Sequence, residues 1–160
     1  MMKLIKRTNI LLLVVGLMLL SFTENMNSYQ LECVSLDNEG YVVVKIWDYK
    51  RGKVYKLEQA SKDAIHAILY AGLAGSNGCI SQPPLLSKSE WISNFKRVEK
   101  RFFSKKGIWI KFTRSSPVES SNSINPAHKN IKTYQVTIAK GELRKHLEEQ
   151  NIINSLSNGF

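Results

Sequence analysis

The chain is poor in the residues that carry catalysis. Three histidines, His66, His128 and His146, are spread along 160 residues, and none has a second His or Cys at metal-ligand spacing. The acids are scattered as well: Asp37 and Glu39 mark a turn, Asp48 closes a strand, and Glu148 and Glu149 sit on a helix face. No two of them read as a pair set across a cleft for acid–base work. There is no Gly-x-Ser-x-Gly elbow, no phosphate loop and no dinucleotide fingerprint. These absences point away from an enzyme, with no catalytic residues, no metal and no cofactor expected. A hydrolase is the least favoured reading. Long apolar runs are missing too. The longest, Ile10–Leu20, has 11 residues, against the roughly 20 that a spanning helix needs.

That short run nevertheless has a specific context. Lys3, Lys6 and Arg7 precede it, and Ser21-Phe22-Thr23 follow before the chain turns polar at Glu24-Asn25. A charged start, an apolar core and a small, polar end make a secretory signal peptide, expected over 1–23. The expected destination is the periplasm or the extracellular space. Residues 1–23 carry three basic and no acidic side chains, so their removal leaves 20 Lys and Arg against 13 Asp and Glu, a charge of +7. A basic exported protein favours anionic partners, such as lipid head groups, acidic glycans or an acidic protein face. Peripheral contact with a membrane fits this charge, and nucleic acid does not fit the compartment.

Cysteine is nearly absent. Cys33 and Cys79 are the two present. Export permits a bridge between them, and the spacing equally allows two buried thiols. Cys33 is a poor lipidation site, because Gln30-Leu31-Glu32 precede it and the apolar run ends 13 residues earlier.

About 137 residues remain after 1–23, enough for one domain with its own core. Residues 24–30 read as a flexible N-terminus and 31–160 as a single α+β domain. Leu31–Leu36 fits a short strand, and Asp37-Asn38-Glu39-Gly40 a turn. Tyr41–Tyr49 alternates as a strand, with Val42, Val44 and Ile46 on one side and Tyr41, Val43, Lys45 and Trp47 on the other. After the basic turn 50–53, Val54–Leu57 fits a short returning strand. Ala60, Ala64, Ala67 and Ala71 recur at helical spacing and predict a helix over 58–72 that Gly72 ends. A loop follows over 74–86. Ser87-Lys-Ser-Glu90 is a capping-box pattern. It opens a helix over 88–104 that turns Trp91, Phe95, Val98 and Phe102 inward, with Gly107 closing the segment. Ile108–Arg114 alternates as a strand with Ile108, Ile110 and Phe112 inward. Residues 115–131, rich in Ser, Asn and Pro, read as a long exposed loop. Lys132–Ala139 alternates as a strand around Tyr134, Val136 and Ile138, and Glu142–Leu156 as a helix with Leu143, Leu147 and Ile153 inward. The order β(β)-α-α-β-β-α makes a two-layer domain. Helices cover one face of a small antiparallel or mixed sheet, and the last two strands form a hairpin.

Six Lys or Arg fall within 11 residues of the second helix: Lys96, Arg97, Lys100, Arg101, Lys105 and Lys106. They form the candidate interaction surface, interrupted by Glu99; a solvated helix face is the plainer alternative. Trp47 and Trp109 lie opposite the main apolar rows. They are contact anchors if that sheet face is open and core residues if it is covered. The loop 115–131 is long enough to be functional.

Gly40-Tyr-Val-Val-Val-Lys-Ile-Trp47, then Ala60-x3-Ala64-x2-Ala67, then Tyr134-Gln-Val-Thr-Ile138 with Leu143-x3-Leu147, form a further pattern. Over about 40–156 it resembles the flagellar assembly protein T N-terminal and LPP20-like envelope domains, and more loosely secreted proteins of Bacteroides-type bacteria. The chain departs from those domains by its Trp91–Phe102 helix and its lack of a lipidation Cys. The resemblance implies an assembly or adaptor module without catalytic residues, so no site residue carries over. Two expectations follow. One is a non-catalytic envelope module that binds another envelope component. The other is a basic ligand-binding or inhibitor protein for an anionic glycan, lipid head group or acidic protein.

Overall fold

In the computed structural model, residues 28–37, 39–76, 79–118 and 131–155 are described. The expected signal peptide, residues 24–27, His128, the 119–130 part of the loop and the 156–160 tail lie outside them. The architecture is α+β. Four antiparallel strands, β1 (Tyr29–Leu36), β2 (Tyr41–Asp48), β3 (Thr113–Val118) and β4 (Thr133–Ala139), form one sheet in the order β1-β2-β4-β3. The last two strands pair as the expected hairpin.

The alternation in β2 sets the layer. Val44 lies opposite Cys33 and Val136, Ile46 opposite Leu31 and Tyr134, and Val42 opposite Ile138. These residues make an apolar face that is buried except for the half-buried Leu31. On the other face Trp47 lies between Gln30 and Thr133, and Lys45 between Glu32 and Gln135. Residues of this second face are half-buried or exposed, so among the described residues nothing covers it.

Helix α1 runs over Leu57–His66 and continues as a wider π turn over Ala67–Ala71. It lies across β2, β3 and β4. Ala60 and Ala64 let it approach closely, and Ile65, Ile68 and Leu69 fill the space beside them. Gly72, at φ 74°, ends it as the sequence predicts; a Cβ there would stand 2.3 Å from the Gln82 carbonyl oxygen.

Helix α2 comprises Lys88–Glu90, a π turn over Trp91–Phe95, and Lys96–Phe102. Ser87 and Glu90 form the expected capping box. Phe95 and Phe102 are buried, and Trp91 and Val98 are half-buried. The Phe95 ring meets Tyr70 of α1 edge-on at 6.2 Å. Helix α3 (Lys140–Glu149) buries Leu143 and Leu147. Its end is a Schellman turn: Asn151 N–H donates to Glu148 O and Ile152 N–H to Leu147 O, with Asn151 at φ 53°.

Several boundaries differ from expectation. β1 begins at Tyr29, inside the stretch expected to be flexible, because Tyr29 pairs with Asp48 and its hydroxyl reaches His66. Val54–Leu57 is not a strand. Gly52–Val54 is a 3₁₀ turn, and α1 has begun by Leu57. Ile108–Phe112 is also a 3₁₀ turn, and the strand starts at Thr113 and runs to Val118. In this turn Trp109 and Phe112, three apart, are the buried pair, and Ile110 is 47% exposed. A 3₁₀ turn puts every third residue on one side, so the alternating pattern misleads here. Residues 115–118 are therefore strand rather than loop. The last helix stops at Glu149, and Ile152 and Ile153 are buried beyond its end.

Candidate functional site

The basic side chains of 96–106 are all exposed. Lys96, Arg97, Lys100 and Arg101 project from α2, and Lys105 and Lys106 from the turn after it. The interrupting acid points elsewhere. The Glu99 carboxylate accepts hydrogen bonds from Tyr70 Oη at 2.7 Å and Trp91 Nε1 at 3.4 Å. Burial, reinforced by Glu99, pushes the Tyr70 hydroxyl far above its usual pKa, so it stays a donor. Lys96 stands 5.5 Å over the Trp91 ring. Arg97, Lys100, Arg101 and Lys106 form no ion pair among the described residues. Lys105 adds to the field that holds the Glu58 carboxyl below its ordinary value, after the nearer Lys62.

Beside this face lies a cleft of about 150 Å³ between α2, the 3₁₀ turn and the end of α3. Arg97 and Arg101 line it, and Val98, Phe102, Ile108 and Ile152 supply its apolar wall. His146 also lines it, with its ring 5.5 Å from Phe112. No described carboxylate lines the cleft.

A second cluster escapes the sequence reading. Asp48 is fully buried and accepts from Ser28 Oγ at 2.6 Å, Lys50 N–H at 2.8 Å and Arg51 N–H at 3.0 Å. Arg51 Nη1 reaches Asp63 at 2.9 Å and Asp48 at 3.4 Å. Asp63 also accepts from Tyr55 Oη at 3.0 Å and Gln59 Nε2 at 2.7 Å. Two carboxylates thus share one guanidinium, which ties the end of β2 to α1. Burial pushes the Asp48 carboxyl upward, but the Ser28, Arg51 and Lys50 contacts outweigh it and hold its pKa below the ordinary value. With every buried side-chain polar atom in the described residues partnered, the arrangement is a brace. The sequence hint for it is Asp48-x-x-Arg51 at the strand end.

His66 lies between Tyr29, whose Oη is 3.2 Å from Nδ1, and the Tyr70 ring at 4.4 Å. Burial lowers its pKa, against the opposing pull of Asp63 and Glu99. Among the described residues no three His, Cys, Asp or Glu side chains gather as a metal site.

The remaining expected site residues separate. Cys33 and Cys79 are joined in a disulfide. Trp47 is half-buried on the second sheet face, edge-on to Tyr49 at 6.4 Å. Trp109 is not on that face. It is 5% exposed, donates to Ser104 O at 2.8 Å and carries Lys62 over its ring, so it is a core residue rather than a contact anchor. No helix of the described residues is long and apolar enough to cross a membrane. No protein family, curated protein or solved structure matches the chain.

Proposed function

We propose that this protein is an exported, non-catalytic interaction module of the cell envelope that engages an anionic envelope component through the basic face of α2. The observation that carries the reading is the exposed array Arg97, Lys100, Arg101 and Lys106, which forms no ion pair among the described residues, beside a Glu99 drawn inward by Tyr70 and Trp91. Free cations in one stretch concentrate positive potential, which attracts anionic surfaces and is screened by salt. The signal-peptide pattern and the disulfide fit an oxidising compartment outside the cytoplasm. The resemblance to envelope assembly domains supports the same placement.

The test uses the chain without residues 1–23, vesicles with and without an anionic lipid, and a soluble acidic polysaccharide. Binding to at least one anionic probe, weakening with salt, is expected. In Lys100→Glu/Arg101→Glu, affinity falls at least about tenfold, since each surface cation contributes roughly 1 kcal/mol near an anionic membrane. Equal affinity of wild type and variant for every anionic probe sinks the proposal. A salt-resistant protein complex that tolerates the charge reversal would favour assembly through the sheet face around Trp47.

A further inference from the structure

The cleft beside α2 has a different shape of chemistry from the open cationic face. Its apolar wall comes from three elements: Val98 and Phe102 of α2, Ile108 of the 3₁₀ turn, and Ile152 beyond α3. Its only charged lining among the described residues is the cationic pair Arg97 and Arg101; Asn94, His146, Gln150 and Asn151 add polar groups. The two arginines are four apart, so they stand one above the other on the same side of the helix.

The walls are held in place. Asn94 Nδ2 donates to Ile152 O at 3.0 Å, and Phe112 braces the His146 ring. The Schellman turn satisfies the Leu147 and Glu148 carbonyls at the end of α3. Those carbonyls would otherwise present negative dipole ends near the cleft. A volume of about 150 Å³ is the size that takes one benzene ring.

We propose that this cleft binds a small organic carboxylate, with a ring-sized apolar body against Val98, Phe102, Ile108 and Ile152 and its carboxylate at Arg97 and Arg101. Guanidinium groups suit this head group because their planar donors match the two carboxylate oxygens. The apolar wall gives a ring contacts that a bare inorganic anion cannot make.

The probe is benzoate, with benzyl alcohol as the neutral match, titrated into the chain without residues 1–23 and followed by NMR shifts. Saturable benzoate binding with Kd at or below about 1 mM is expected, with shifts at His146 and Ile108. Benzyl alcohol should bind at least about tenfold more weakly, as a lost charge-assisted hydrogen bond predicts. Arg97→Gln/Arg101→Gln should weaken benzoate by a similar factor, while Val98→Phe should abolish it by filling the cleft. Arg97 and Arg101 are exposed, so their double variant should fold even if Val98→Phe does not. Failure of benzoate to bind wild type overturns the proposal. So do equal affinities for benzoate and benzyl alcohol, or benzoate binding unchanged by the arginine substitutions. The vesicle and polysaccharide assay is a separate measurement on the same wild-type chain. Anion-surface binding without benzoate binding removes the cleft proposal alone, and the reverse removes the surface proposal alone.

Discussion

Cys33 on β1 and Cys79 in the loop after α1 are 46 positions apart and form a disulfide, with their Cα atoms 6.2 Å apart. The bond fastens the inner side of an edge strand to the loop that leaves α1. Both cysteines are buried within the core cluster.

Opening this bridge should cost stability through the unfolded chain. The loop-entropy relation gives about 4 kcal/mol as an upper figure for a loop of this length. Cys33→Ser/Cys79→Ser should therefore unfold at a clearly lower urea midpoint than the oxidised protein, and reductant should reproduce the loss. Identical midpoints with and without reductant would show that the bridge contributes nothing.

Asp48 should set part of the acid limit of the fold. Its folded pKa lies below the ordinary carboxylate value, so the folded state binds its proton less readily than the unfolded state does. The stabilisation is present above the unfolded value and disappears as pH falls through the lower folded value. Asp48→Asn should destabilise the protein by about 1–3 kcal/mol near neutral pH and make stability less steep in acid. Urea midpoints measured from neutral to strongly acidic pH test both effects; parallel curves for the two proteins would refute the assignment.

His66 should add a second, higher step in the same direction. Burial lowers its folded pKa below the ordinary histidine value. The unfolded chain then takes up the proton first, so stability is full above that value and declines as pH falls from it toward the folded pKa. His66→Phe should flatten stability across that interval while leaving the more acidic Asp48 limb. An NMR titration of the His66 ring with a midpoint at or above the ordinary histidine value would contradict this.

Asn151 should tolerate glycine and resist branched residues. Its φ of 53° lies in the left-handed region, where it closes α3. Asn151→Gly should be neutral or slightly stabilising. Asn151→Val should cost roughly 1–3 kcal/mol, read as a drop in thermal midpoint. Equal midpoints for the Gly and Val variants would mean that the turn relaxes without strain.

The parts of the fold that were legible rest on local repeats. Val42, Val44 and Ile46 mark one face of a strand, Ala60 and Ala64 a close-packed helix stripe, and Ser87 with Glu90 a capped helix start. Each signal lies within a few residues, and each element appears where it points. The segment Ile108–Phe112 defeated the same logic. Five residues cannot separate an alternating strand from a tight turn that buries every third side chain, and the pocket for Trp109 decided between them. The basic run 96–106 was visible as a list of charges. Its freedom from Glu99 was not, because Tyr70, which holds that carboxylate, is 29 positions away.

By itself the sequence determined the positive balance, the α+β class and the placement of most helices and strands. These follow from composition and from periodicities of two and about three and a half residues, which are properties of neighbouring side chains. Tertiary structure alone decided that Cys33 meets Cys79, that Asp48 and Asp63 share Arg51, and that Trp109 is core. It also decided that Arg97 and Arg101 border a cleft with Ile108 and His146. Each of these pairings joins elements separated along the chain, and only the packing of the helices onto one face of the sheet brings them together.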